Sequence, residues 1–83
     1  MKFRAEIDVM PHKEILDPQG KAVKLGLGNL GIKNVSDVRI GKHITLELEA
    51  ANQKEAEEET ETACKKLLAN LIMESYVYKV YGI

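Results

Sequence analysis

Residues 3 to 9, FRAEIDV, alternate strictly: Phe3, Ala5, Ile7 and Val9 fall on one side, Arg4, Glu6 and Asp8 on the other. That is the period of a strand buried on one face only. Its apolar side has to be covered by something else in the chain. A matching surface occurs at helical spacing in Ala56, Thr60, Ala63, Cys64, Leu67, Leu68 and Leu71. Sheet and helix therefore have each other to bury against, and in 83 residues there is room for one core. The whole of 1–83 is expected to be a single domain, too small for a nucleotide-binding half plus a catalytic half.

Between these two segments the pattern predicts three further elements. Asp17 can cap a helix, Pro18 suits its first turn, and Ala22, Val23, Leu27 and Leu30 give helical spacing, so a helix is expected from Pro18 to about Leu30. VSDVRI (35–40) and HITLELE (43–49) read as two strands of a hairpin turning at Gly41 and Lys42. Asn52 offers a cap and Glu55 the acid three residues on, opening a second helix that runs to about Asn70. SYVYKVY (75–81), aromatic and β-branched, reads as the last strand. The order β-α-β-β-α-β is the split βαβ pattern of a ferredoxin-like α+β fold: a four-stranded antiparallel sheet, first and third strands central, two helices on one face. The open face is expected to carry Arg4, Glu6, Asp8, Asp37, Arg39, Thr45 and Glu47, with Val77 and Tyr81.

GLGNLG (26–31) matches the spacing of a dinucleotide-binding loop. In that loop the glycines precede a helix, whose free amides then meet the phosphates. Here they end one, and Gly31 stands where a helix C-terminal glycine belongs. Nucleotide binding by this motif is not expected. Gly26 and Gly28 each cost a helix about 1 kcal/mol relative to alanine, which suggests close packing on a sheet or a neighbouring chain, or early fraying.

Other chemistries are short of parts. Cys64 is the only cysteine, which excludes an intramolecular disulfide and a Cys-pair zinc site; its place on the apolar stripe makes it a packing residue. His12 and His43 lack ligand spacing, and the EAEEETE run is a solvated helix start matched to the dipole. No metal or cofactor is expected. The net charge of -1 gives no general attraction to nucleic acid or an anionic membrane, and the central-strand positions where an RNA-binding sheet carries aromatics hold Arg4, Glu6, Asp8, Thr45 and Glu47. No apolar run approaches a membrane span, MKFRAEID does not resemble a signal peptide, and a cytoplasmic location is expected.

ILDPQGKAV, VSDVRIGK and CKKLLANLIMESYVYKV occur here in the order and spacing of the small subunit of phosphoribosylformylglycinamidine synthase, and on these motifs the chain resembles the PurS family over essentially its whole length. Leu71 is a departure, since the family commonly has proline after LLAN; the second helix is expected to run slightly further for it. The resemblance implies a non-catalytic subunit, self-associated as a dimer or higher, that bridges the synthetase (PurL) and glutaminase (PurQ) subunits. Together these convert formylglycinamide ribonucleotide, ATP and glutamine to formylglycinamidine ribonucleotide. Asp17, Gln19, Gly20, Arg39, Gly41 and Lys42 match the family's first two motifs and are the expected partner contacts, with Gln19, Arg39 and Lys42 foremost. The alternative reading is a small-ligand regulatory module of the same fold, binding an amino acid or nucleotide at the loop before the first helix.

Overall fold

A computed structural model describes residues 1–13 and 16–83. The elements are β1 (Lys2–Pro11), α1 (Pro18–Asn29), β2 (Lys42–Glu49), α2 (Gln53–Ala63) continued by a π-helical turn (Cys64–Leu68), and β3 (Glu74–Gly82). The fold is α+β, with a three-stranded antiparallel sheet in the order β2-β1-β3. β1 is central because its alternation holds over its length: Phe3, Ala5, Ile7 and Val9 are buried, and the middle two face apolar or aromatic partners on both sides, Ala5 lying between Leu46 and Val80 and Ile7 between Ile44 and Tyr78. Past Val9 only β3 remains as a neighbour, so Pro11 sits where one flank of the strand has no ladder and its missing amide costs little.

The expected fourth strand is absent. Residues 35–40 take no regular structure, β2 starts at Lys42, and there is no hairpin. The strand-like pattern of VSDVRI is overridden by side chains that claim its backbone, the amide of Ile40 donating to Asp17 and the carbonyl of Ser36 accepting from Lys24, while the segment's own Arg39 turns its guanidinium back to the end of β1. The sheet is thus the ferredoxin order without the strand that would flank β2. The expected third strand becomes an edge, and Asp37 and Arg39 leave the open face.

The helices follow their caps. Asn52 accepts from the amide of Glu55 at 2.9 Å to start α2. Gly31, at φ +90°, ends α1 as expected, with Ile32 N–H donating to Leu27 and Gly31 N–H to Gly28 in the six-to-one and five-to-two bonds of a Schellman motif. Leu71 does not lengthen the second helix, since the backbone is already extended at Ala69. The widened turn, in which Ala69 N–H donates to the Cys64 carbonyl, brings both residues inward, and Cys64 is fully buried as expected.

α2 lies over β3 and β1 with Ala56, Thr60 and Cys64 inward. Two apolar clusters result, one around Ile7, Val9, Cys64 and Ala69, the other around Phe3, Ala50 and Ala56. α1 departs from expectation: it makes no extended contact with the sheet, only Gly20 of it is buried, and the molecule measures 51 × 27 × 14 Å. The opposite face of the sheet is polar: Arg4 pairs with Glu47 at 2.8 Å, His43 on β2 bonds Asp8 at 2.6 Å, and the Tyr81 hydroxyl donates to Glu6.

Candidate partner-binding site

The base of α1 is built by one carboxylate. Asp17 caps the helix through Oδ1, which accepts from Gly20 N–H at 3.0 Å, while Oδ2 accepts from Ile40 N–H at 2.8 Å. The same side chain therefore starts a helix and holds the segment beside it. The bond from Ile40, then that from Gly20, keeps this carboxyl below its ordinary range. Gly20 is required by the approach that results: a β-carbon there would stand 2.1 Å from the carbonyl oxygen of Val38.

Arg39 is half-buried and faces its own chain. Its fork donates to the carbonyls of Pro11 at 2.8 Å and Lys13 at 3.2 Å, and also to that of His12. These are the carbonyls β1 leaves free as it departs the sheet, which is why a planar multi-donor cation is suited to the position. Gly41 completes the clamp, since a β-carbon would meet Met10 Sδ at 2.2 Å and the Val9 carbonyl at 2.3 Å.

The third motif arrives at the same end. Asn70 and Glu74 bond reciprocally, Asn70 N–H to Glu74 Oε1 at 2.8 Å and Glu74 N–H to the Asn70 carbonyl at 2.7 Å. His12 N–H reaches the Met73 carbonyl at 2.9 Å. Three stretches separated in sequence thus form one end of the molecule, with an open groove of about 330 Å³ bordered by Leu16, Gln19, Ile40, Asn70 and Met73. Ile15, within the first motif, lies outside the described residues.

Among the expected contacts, Gln19, Gly41 and Lys42 are exposed, whereas Asp17, Gly20 and Arg39 form the clamp beneath, which Gly41 closes by its approach to Val9 and Met10. The expectation that Arg39 points outward from a strand is corrected: no strand forms there, and the side chain is spent on backbone carbonyls. Sequence reasoning passed over the apolar rim beside the groove, where Leu16 is 65% and Ile72 84% exposed, with Leu71 and Met73 about half exposed. A signal was present in LIM (71–73), an apolar run at neither helical nor strand spacing.

Among the described residues no three His, Cys, Asp or Glu side chains gather to hold a metal, and no helix is long and apolar enough to cross a membrane. Fold and site define a small α+β protein whose motif residues organise a surface. The sequence model of one family, "PurS: Phosphoribosylformylglycinamidine (FGAM) synthase", matches residues 4–82, and the chain belongs to that family, a subunit of the FGAM synthase ligase of purine biosynthesis. It is 42% identical over 78 residues to the PurS subunit of Synechocystis, spanning 94% of this chain and 78% of that one. The structure of B. subtilis PurS superposes with a TM-score of 0.85 at 35% identity, covering 95% of this chain and 98% of that one. A chain of the structure titled PurLQS, from Thermotoga maritima, gives 0.88 at 33% identity, covering 98% and 99%.

Proposed function

We propose that this chain is a non-catalytic bridging subunit, a single PurS-like domain over residues 1–83 that self-associates in the cytoplasm and joins the synthetase and glutaminase subunits of FGAM synthase. The observation that carries the reading is the clamped end: three family motifs meet there, with Asp17, Arg39 and Glu74 spent on holding backbone, while Gln19 and Lys42 are left outward beside an uncovered apolar rim. Such a surface fits a partner better than a reaction, because exposed apolar side chains with a polar border gain by burial. The likeness to a chain of the Thermotoga PurLQS structure supports the same reading. Gln19 and Lys42 touch a partner subunit, while Asp17, Gly20, Arg39 and Gly41 fix the surface they stand on. The ferredoxin-like description applies with one edge strand replaced by the irregular segment 35–40.

The test is titration of Gln19→Ala and Ile72→Glu chains into the two partner subunits, read as glutamine-dependent product. Both positions are exposed, so folding should be retained; loss of assembly by at least tenfold is expected for Ile72→Glu, with a smaller loss for Gln19→Ala. Wild-type assembly by both would refute this placement of the interface. The groove, about 330 Å³, is at the lower end of small-ligand pockets. A thermal shift with glutamine, ATP or the ribonucleotide would favour the ligand-module reading instead.

A further inference from the structure

Resting on the bridging reading just proposed, the chain needs a separate contact surface for each subunit it joins, and the clamped end supplies only one. A second groove, of about 550 Å³, lies further along α1 and shares no bordering residue with the first. It is also turned away from Val23 and Leu30, which fall on the opposite side of the helix.

The groove exists because the chain doubles back. After the turn at Gly31, residues 32–38 return alongside α1: Ile32 N–H bonds the Leu27 carbonyl at 2.9 Å, Lys24 Nζ donates to the Ser36 carbonyl at 2.9 Å, and the Val38 carbonyl closes on Gly20. Helix and returning segment are thus held side by side, with a trough between them. Gly28 keeps that trough open, since nothing stands within 4 Å of where its β-carbon would be. Alanine would serve the helix better, so the fold itself gains nothing from this glycine.

The lining sets the chemistry of an occupant. Leu25 is 70% and Ile32 46% exposed, and with half-buried Val35 they form an aliphatic strip. Lys21 from the helix and Lys33 from the returning segment stand at its border, and neither pairs with an acid among the described residues. From Pro18 to Ser36 the sequence carries three lysines and no Asp or Glu, although the chain as a whole has a net charge of -1. Nucleic acid fits this lining poorly: among the described residues no aromatic ring or arginine borders the groove, so a base has nothing to stack on. Ammonium groups from both walls of an aliphatic strip match carboxylates spaced around an aliphatic side chain.

We infer that the groove takes an extended acidic segment of one partner subunit. Its carboxylates meet Lys21 and Lys33, and an aliphatic side chain between them fills the space over Gly28 against Leu25 and Ile32. Burial of the strip supplies the affinity, while the lysines at the rim speed the encounter and select an acidic partner.

The test uses the full chain with both subunits, ATP and glutamine. Lys21→Glu combined with Lys33→Glu should weaken assembly at least tenfold, read as glutamine-dependent product, and remove much of its dependence on salt. Gly28→Gln puts a good helix former in the trough and should weaken assembly as much while melting no lower than the wild type, which separates occupancy from folding. A photoreactive side chain in place of Leu25 should cross-link to an acidic segment of one subunit, and the same group in place of Ile72 to the other subunit. Groove variants that assemble as the wild type, or a Leu25 cross-link only to a second copy of this chain or to nothing, would overturn this inference; if Ile72→Glu still weakens assembly, the clamped-end reading stands. Cross-links from both positions into one subunit would overturn the groove as the second surface, and ATP cross-linked at position 25 would overturn the acidic segment as its occupant. Wild-type assembly by Ile72→Glu beside impaired groove variants would strike the clamped end and leave the groove standing.

Discussion

Gly20→Ala sets two effects of opposite sign against each other. Replacing a helix glycine with alanine should stabilise by about 1 kcal/mol, because the unfolded chain loses freedom and the helix gains a good former. The added β-carbon would, however, stand 2.1 Å from the Val38 carbonyl oxygen and 2.8 Å from Asp17 Oδ2, where ordinary contact begins at 3.4 Å. The carbonyl would have to retreat by about 1.3 Å, the difference between 3.4 and 2.1 Å. It cannot do so alone, since Arg39 and Ile40, next along the chain, are held by their bonds to the end of β1 and to Asp17. Overpacking against fixed backbone reaches the upper end of its usual 1–3 kcal/mol, so the net effect should be destabilisation by about 2 kcal/mol. For a domain of this size that lowers the melting temperature by roughly 10 °C. Gly28→Ala is the control: nothing lies within 4 Å of the new carbon, so it should stabilise by about 1 kcal/mol from propensity alone. Both are measured by thermal and urea unfolding at one protein concentration, since association contributes to apparent stability. A Gly20→Ala chain as stable as Gly28→Ala would refute the close approach of α1 to residues 38–40.

The remaining expectations follow from the same clamp and core. Arg39→Ala should cost about 2 kcal/mol, because it unpairs carbonyls bound to a charged group, and Arg39→Lys should not restore it; a change below 0.5 kcal/mol in urea unfolding would show the fork to be idle. Cys64, buried and with its thiol pushed up by that burial and then by Glu61, should react with a thiol reagent only at the rate of unfolding; fast labelling of native protein would contradict this. The Tyr76 hydroxyl is pushed up to about 12 by burial and its bond to Glu61. Its folded value lies above its unfolded 10, so its contribution is full below pH 10 and is lost as pH rises through about 12. Tyr76→Phe should flatten that alkaline limb in pH-dependent melting. Asp17 has the opposite sign: depressed below its ordinary 3.8 by the amides of Ile40 and Gly20, it stabilises above that pH and loses the effect as pH falls through its folded value. Asp17→Asn should weaken the acid dependence.

The elements carried by period and cap were legible in the chain itself. β1, β2, β3, the caps at Asp17 and Asn52, the stop at Gly31 and the buried Cys64 all rest on residues within one turn or one pleat of each other, where backbone sterics and side-chain alternation decide the outcome locally. The motifs ILDPQGKAV and VSDVRIGK were visible too, but their roles were not. Whether Arg39 faces a partner or its own chain depends on where Pro11, His12 and Lys13 lie, and nothing within a few residues of Arg39 specifies that. Tertiary contact likewise turned VSDVRI from a strand into a strap: a side chain from residue 17 took the amide that a ladder would have used, removing the fourth strand. With that strand went any seat for α1 on its own sheet, so a helix correctly located by its sequence came to stand apart from the core it was expected to cover. Local periodicity tells a segment what it can become; which surface it finally faces is settled by groups far away in sequence that compete for the same hydrogen bonds and apolar area.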